Sequence, residues 1–160
     1  MTSKKIIIRE YKTEDAQDLA KIYYNTIHKV NIRDYTEEQV HVWAPETSHE
    51  ISYWLEKFKT SKPFVALIEN IIVGFAEFES DGHIDCFYCH HEWIGYGVGS
   101  ALMNVIDKKA RQLKIQRIYA EVSITARPFF EKQGFTITEQ QTVFLNDVGL
   151  TNFKMEKFLI

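Results

Sequence analysis

The stretch His90–Leu102, HHEWIGYGVGSAL, places glycine at 95, 97 and 99, every second position, directly ahead of an apolar helical pattern. The first amides of a helix have no partner inside it, and the aligned peptide dipoles leave that end partly positive. A glycine-rich turn running into a helix therefore offers N–H groups to a phosphate, and side chains at those positions would block the approach. Two familiar nucleotide loops do not fit. No Lys-Ser/Thr follows the glycines, and the dinucleotide spacing requires glycine at 100 or 102, where Ser100 and Leu102 stand. A turn built only for tight packing would use the same glycines, so the flanking sequence has to decide.

Behind the glycines, Val98, Ala101, Leu102, Val105, Ile106, Ala110 and Leu113 keep the spacing of one helix face. QRIYAEVS then reads as a strand, and TARPFFEKQG as a short helix stopped by Gly134. FTITEQQTVFL and LTNFKMEKF read as two final strands. Upstream, PFVALIE, IIVGFAEFES and HIDCFYCH are strands joined by a tight turn near Glu69-Asn70 and by Asp81-Gly82, a hairpin signal. The N-terminal part opens with a strand in KKIIIREY. A helix follows with Thr13 as its cap candidate, then a short helix capped by Thr36, then a helix with Ile51, Trp54, Leu55 and Phe58 on one stripe. The order β-ααα-βββ-α-β-α-ββ predicts a mixed sheet flanked by helices.

The chain of 160 residues shows no repeat or linker and is read as one domain, 1–160. Hydrophobic content of 45% and charged content of 26% are ordinary globular values. A net charge of −3 gives no global attraction to nucleic acid or acidic membranes, and neither is expected as a partner. No apolar run approaches a membrane span, and MTSKKIIIREY lacks a signal peptide's apolar core, so a cytoplasmic protein is expected. Cys86 and Cys89 in CFYC stand three apart on a strand, on opposite faces, which favours packed thiols over a metal pair. No metal is expected.

The loop x-x-Gly-x-Gly before an amphipathic helix, then a strand, then a short helix ending Phe-x-x-x-Gly-Phe resembles the GCN5-related N-acetyltransferases, the GNAT family. The likeness spans essentially the whole chain. Ile94, Gly95, Tyr96, Gly97, Val98, Gly99 and Ser100 match the loop that meets the pyrophosphate of acetyl-CoA, with Ile94 in the place of a Gln or Arg. Ala126, Phe129, Phe130, Gly134 and Phe135 match the second landmark of the family. The resemblance implies a mostly antiparallel sheet of about seven strands flanked by helices, and acetyl-CoA as co-substrate. It also implies that an amine attacks the thioester directly in a ternary complex. Phe87, Tyr88 and Cys89 then lie beside the cofactor, with a backbone amide facing the thioester oxygen. DYTEEQVHVWAP resembles a bacterial branch of the family whose substrates are unassigned.

Two departures bear on the chemistry. Phe130 stands where many members carry a tyrosine that protonates the departing thiolate. Ser123 stands where many carry an asparagine near the sulfur, and its hydroxyl is the substitute acid, unless it only caps the next helix. A lysine-like amine must lose a proton held about 3.4 units above pH 7, roughly 4.6 kcal/mol. His83 and Asp85, two apart on one strand face, are the first choice of base. Glu77 and Glu79 are the reserve, and His90 and His91 are read as loop wall. Tyr24, Tyr35, Trp43 and Glu77 fall where the family builds its acceptor pocket. A small-molecule amine is the expected acceptor, with a protein amine also open, as is a homodimer. The rival reading is a regulatory module that holds an acyl-CoA with little turnover, because Phe130 offers no proton.

Overall fold

A computed structural model of the chain describes residues 4–159. A type I′ two-residue hairpin turn needs two successive left-handed residues, and Glu69 and Asn70 supply them at φ 50° and 66°. They join β2 (Phe64–Ile68) to β3 (Ile71–Phe78). Asn146 and Asp147, at φ 47° and 66°, make the same turn between β6 (Thr136–Leu145) and β7 (Val148–Phe158). With β1 (Ile6–Glu10), β4 (His83–Cys89) and β5 (Arg117–Ser123), these strands form one sheet in the order β1-β2-β3-β4-β5-β7-β6. Every neighbouring pair is antiparallel except β4 with β5. The expected mixed, mostly antiparallel seven-stranded sheet is what forms.

The helices are α1 (Ala16–Lys29), α2 (Glu37–Trp43), α3 (Ile51–Ser61), α4 (Val98–Gln112) and α5 (Arg127–Lys132). Thr36 caps α2 as the sequence predicts: its hydroxyl accepts the Gln39 N–H at 3.1 Å, and Gln39 Oε1 accepts the Thr36 N–H at 2.8 Å. Thr13 does not cap α1. A 3-10 turn over Thr13–Asp15 precedes that helix, and buried Asp15 accepts the Lys12 N–H at 2.8 Å while pairing with Arg9 at 2.7 and 2.9 Å. The carboxylate takes three N–H donors on its two oxygens, more than the two lone pairs of a threonine hydroxyl could accept.

One face of the sheet packs on α4, where Val98, Leu102, Met103, Ile106 and Ala110 meet Val73, Ile84, Ile118 and Val122. The other face packs on α1 and α3 through Leu19, Ala20, Trp54, Phe58, Val65 and Phe75. Ile51, placed on the buried stripe of α3 by spacing, is 39% exposed, and burial on that stripe begins at Trp54. No helix among the described residues is long and apolar enough to cross a membrane.

Candidate active site

The one parallel pairing decides where space opens. β4 and β5 align only at His83↔Tyr119 and Ile84↔Ala120, and beyond these pairs the strands part. The second half of β4 is therefore bonded on one edge, to β3, through Phe87↔Ala76, Tyr88↔Phe75 and Cys89↔Gly74. Antiparallel ladders alternate their bonded pairs. Since the His90 N–H bonds the Val73 carbonyl at 2.7 Å, the backbone groups of Phe87 and Cys89 face away from β3. The Cys89 carbonyl accordingly takes the Thr26 hydroxyl at 2.8 Å. The Phe87 and Cys89 amides are left facing the gap.

A cavity of about 480 Å³ runs along this gap to the start of α4, lined by Phe87, Cys89, Trp93, Gly95, Gly97 and Phe129 among others. Gly95 and Gly97 hold φ of 89° and 87°, left-handed values that an L side chain resists. Gly99 has a different reason. A Cβ there would lie 2.9 Å from the Phe129 ring. The three glycines thus divide between loop shape and packing. Ala101 is the first residue bonded back into the helix, to the Gly97 carbonyl at 3.0 Å, so the Val98, Gly99 and Ser100 amides have no helical partner. The residues present fit a coenzyme A: a positive helix end for phosphate, an apolar wall, and unpaired strand amides for the pantetheine arm.

A second cavity, about 710 Å³, opens on the far side of the gap, between α3, the chain ahead of it, and the β6–β7 hairpin. Its aromatic wall includes Tyr23, Tyr35, Trp43, Tyr53 and Trp54, and its charged residues are Glu50, Lys57, Asp85 and Glu121. Lys57 Nζ bonds both oxygens of fully buried Glu77 at 2.8 and 3.0 Å, and Asp85 Oδ2 at 2.6 Å. Burial alone would pull the Lys57 pKa down, but bonded Asp85 and Glu77, with Cys86 beside them, outweigh it and raise it above an ordinary lysine. A bulge sets this cluster. Ala76↔Phe87 and Phe78↔Ile84 are both in register, so Asp85 and Cys86 together oppose Glu77 and both reach this cavity.

Tyr88 and Ser123 line both cavities and the small one of about 70 Å³ between them. Ser123 Oγ accepts the Ala126 N–H at 3.0 Å and Asn31 Nδ2 at 3.4 Å. With both lone pairs engaged, its hydroxyl proton is left to donate. Burial pushes the Tyr88 phenol well above its usual pKa, keeping it neutral. It also pushes the Cys89 thiol up to about 12, which removes that thiol as a nucleophile.

His83 and Asp85 share a face, as alternation predicts, but they do not meet. His83 Nδ1 bonds Glu79, and Nε2 bonds Glu121 Oε1 at 2.7 Å. Burial would lower the imidazole pKa, yet the two carboxylates outweigh it and raise it. With both ring nitrogens bonded to carboxylates, His83 has no lone pair free for an amine, and it lines none of these three cavities. Glu121, which does line the larger one, was missed by the sequence reading. The signal was present: Tyr119, Glu121 and Ser123 alternate with buried Ile118, Ala120 and Val122 in RIYAEVS.

Of the remaining expected residues, Ile94, Gly95, Gly97, Val98, Gly99, Ser100, Ala126, Phe129 and Phe130 line the smaller cavity. Tyr96 does not. It is 50% exposed and leans on Trp93, its ring 5.1 Å away. Tyr35 and Trp43 line the larger cavity, with Tyr35 donating to the Thr151 carbonyl at 2.6 Å and accepting from the Ile124 N–H at 3.0 Å. Tyr24 is displaced from it. One residue is a 100° turn on a helix, so Tyr23 faces the cavity while Tyr24 stacks on His28, its ring 4.0 Å away. Glu77 stands behind Lys57 rather than on the cavity wall. Tyr23, Lys57 and Asn31 are further residues the sequence reading missed.

Residues 31–159 match the family model described as an acetyltransferase (GNAT) domain. The chain belongs to the GNAT acetyltransferase family. It is 33% identical over 150 residues to the uncharacterized N-acetyltransferase YafP of Escherichia coli K12, a match covering 94% of each chain. A crystal structure of a GCN5-related N-acetyltransferase from Rhodopseudomonas palustris superposes with a TM-score of 0.92 at 29% identity, over 99% of both chains. The PaiA N-acetyltransferase of Thermoplasma acidophilum, solved in complex with coenzyme A, shares the fold with a TM-score of 0.75 at 18% identity, covering 97% of this chain and 99% of that one.

Proposed function

We propose that this protein moves the acetyl group of acetyl-CoA to a primary amine of a small molecule. The observation that carries the reading is the meeting of two cavities at Tyr88 and Ser123, where β4 and β5 part. Acetyl-CoA supplies an activated acyl group, the coenzyme A complex of PaiA supports it as the donor, and the glycine loop and unpaired amides support the smaller cavity as its seat. The amides at the start of α4 hold the phosphates; of the Phe87 and Cys89 amides, about 6.8 Å apart along the strand, one stabilises charge on the carbonyl oxygen and the other meets the pantetheine arm. Glu121, steadied by His83, receives the proton of the incoming amine directly or through water. Asp85 remains an acidic neighbour and His83 becomes a positioning residue. Ser123 donates its hydroxyl proton toward the sulfur.

The test is thiol release from acetyl-CoA across a panel of amines, with one acetylated product per thiol. Phe130 supports a second reading, a CoA-binding module with little turnover, because its buried ring packs on Phe87, Phe129 and Phe135 and carries no proton to give. Tight CoA binding without thiol release on any amine would favour that module.

A further inference from the structure

The charge on the wall of the larger cavity narrows the choice of amine. Lys57 is the only cationic residue on that wall among the described residues, and all three of its N–H donors are consumed by Glu77 and Asp85. Glu77 is fully buried and by itself balances the Lys57 charge. Asp85, with a side chain 45% exposed, therefore brings an uncompensated charge to the wall. Glu121 shares the single His83 ring with Glu79, and exposed Glu50 adds a third carboxylate to the lining. The same wall carries Tyr23, Trp43, Tyr53 and Trp54, and aromatic rings are compatible with a cationic ligand.

We infer that the acceptor is a diamine or larger polyamine, one nitrogen reacting beside Ser123 while another stays protonated against Asp85 and Glu50. This rests on the acetyl-transfer reading of the same cavity. Glu121, two residues from Ser123 on β5, is assigned to the reacting nitrogen, and Asp85, which also lines the small cavity beside Ser123, and Glu50 are assigned to the second one. In the reaction the N–C bond forms as the C–S bond breaks. Two protons leave the reacting ammonium: one passes to Glu121 and on to solvent, and the other restores the Ser123 hydroxyl as Ser123 gives its own proton to the departing sulfur. An amino acid fits badly, because its carboxylate would face the acidic wall with Lys57 already saturated.

Thiol release should be compared for putrescine, butylamine and gamma-aminobutyrate, three acceptors of matched chain length. The expected order of kcat/KM places putrescine about tenfold above butylamine, the effect of one partly screened ion pair, with gamma-aminobutyrate lowest. Asp85→Asn should lower the putrescine-to-butylamine ratio about tenfold, and Glu50→Gln should lower it in the same sense. Glu50 is exposed ahead of α3, so its variant carries the test if Asp85→Asn fails to fold. Equal or faster turnover of butylamine or gamma-aminobutyrate, or a ratio unchanged in the folded variants, would overturn the dicationic acceptor and leave acetyl transfer standing. CoA binding by calorimetry with no thiol release on any acceptor would overturn the acetyl-transfer reading itself.

Discussion

Gly97 offers a clean perturbation of the phosphate loop. It sits at φ 87°, ψ 10°, where a Cβ costs about 1–2 kcal/mol. A Cβ built there meets only Ile6 Cδ1 at 3.7 Å, an ordinary contact. Gly97→Ala thus adds strain without a clash, and the strain has two places to appear. If the loop keeps its shape, the free protein loses about 1–2 kcal/mol of stability and retains its CoA affinity. If the loop relaxes, stability is kept and binding must restore the shape, which weakens the CoA Kd about 5- to 30-fold. The two losses, from urea unfolding and from calorimetric titration with CoA, should together account for the strain. Most of it is expected in binding, because the residues between β4 and α4 belong to neither strand nor helix and can relax. Gly99→Ala is the contrast: its Cβ would press on the Phe129 ring at 2.9 Å, so it should cost roughly 1–3 kcal/mol of stability first. A folded Gly97→Ala with unchanged unfolding free energy and a CoA Kd within about twofold of the parent would refute the idea that the left-handed turn shapes the cradle.

Lys57→Met strips fully buried Glu77 of its cation and should cost about 3–5 kcal/mol, a fall of about 6–20 °C in Tm. Adding Glu77→Gln should recover most of that, and a double variant no more stable than the single one would show that the pair is not coupled. His83 has a raised pKa, so its ion pairs contribute fully below about pH 6.5 and their contribution fades as pH rises through the folded value. The stability gap between parent and His83→Gln should therefore shrink from neutral toward alkaline pH, and a gap that widens contradicts the assignment. Ser123→Ala should lower kcat more than CoA affinity, whereas loss of thermal stability alone would leave Ser123 only its bond to the Ala126 N–H. Phe130→Tyr should fold and keep or raise turnover, as judged by thiol release, and a slower folded enzyme would show that the added hydroxyl is misplaced.

The sequence by itself determined the elements and their order, because side-chain periodicity, hairpin pairs and caps are written within a few residues of one another. HHEWIGYGVGSAL and Ala126–Phe135 carried the family, since a loop that needs left-handed glycines and a helix that ends at Gly134 leave local marks. Cys86 and Cys89 do fall on opposite faces, Cys86 packing toward α1 and α3 and Cys89 toward α4, because the bulge ends at Cys86 and regular pairing resumes at Phe87. Which side chains share a cavity was decided only by tertiary structure. Lys57 lies 20 residues from Glu77 and 28 from Asp85, and only the packing of α3 on the sheet joins them. His83 looked like a free base until β5 set Glu121 against it, 38 residues on. The bulge that turns Asp85 and Cys86 to one side is a matter of register with Glu77, invisible in HIDCFYC alone. Periodicity says which face of an element is apolar. Where two strands part, and what then faces the gap, depends on pairings between residues far apart in the chain.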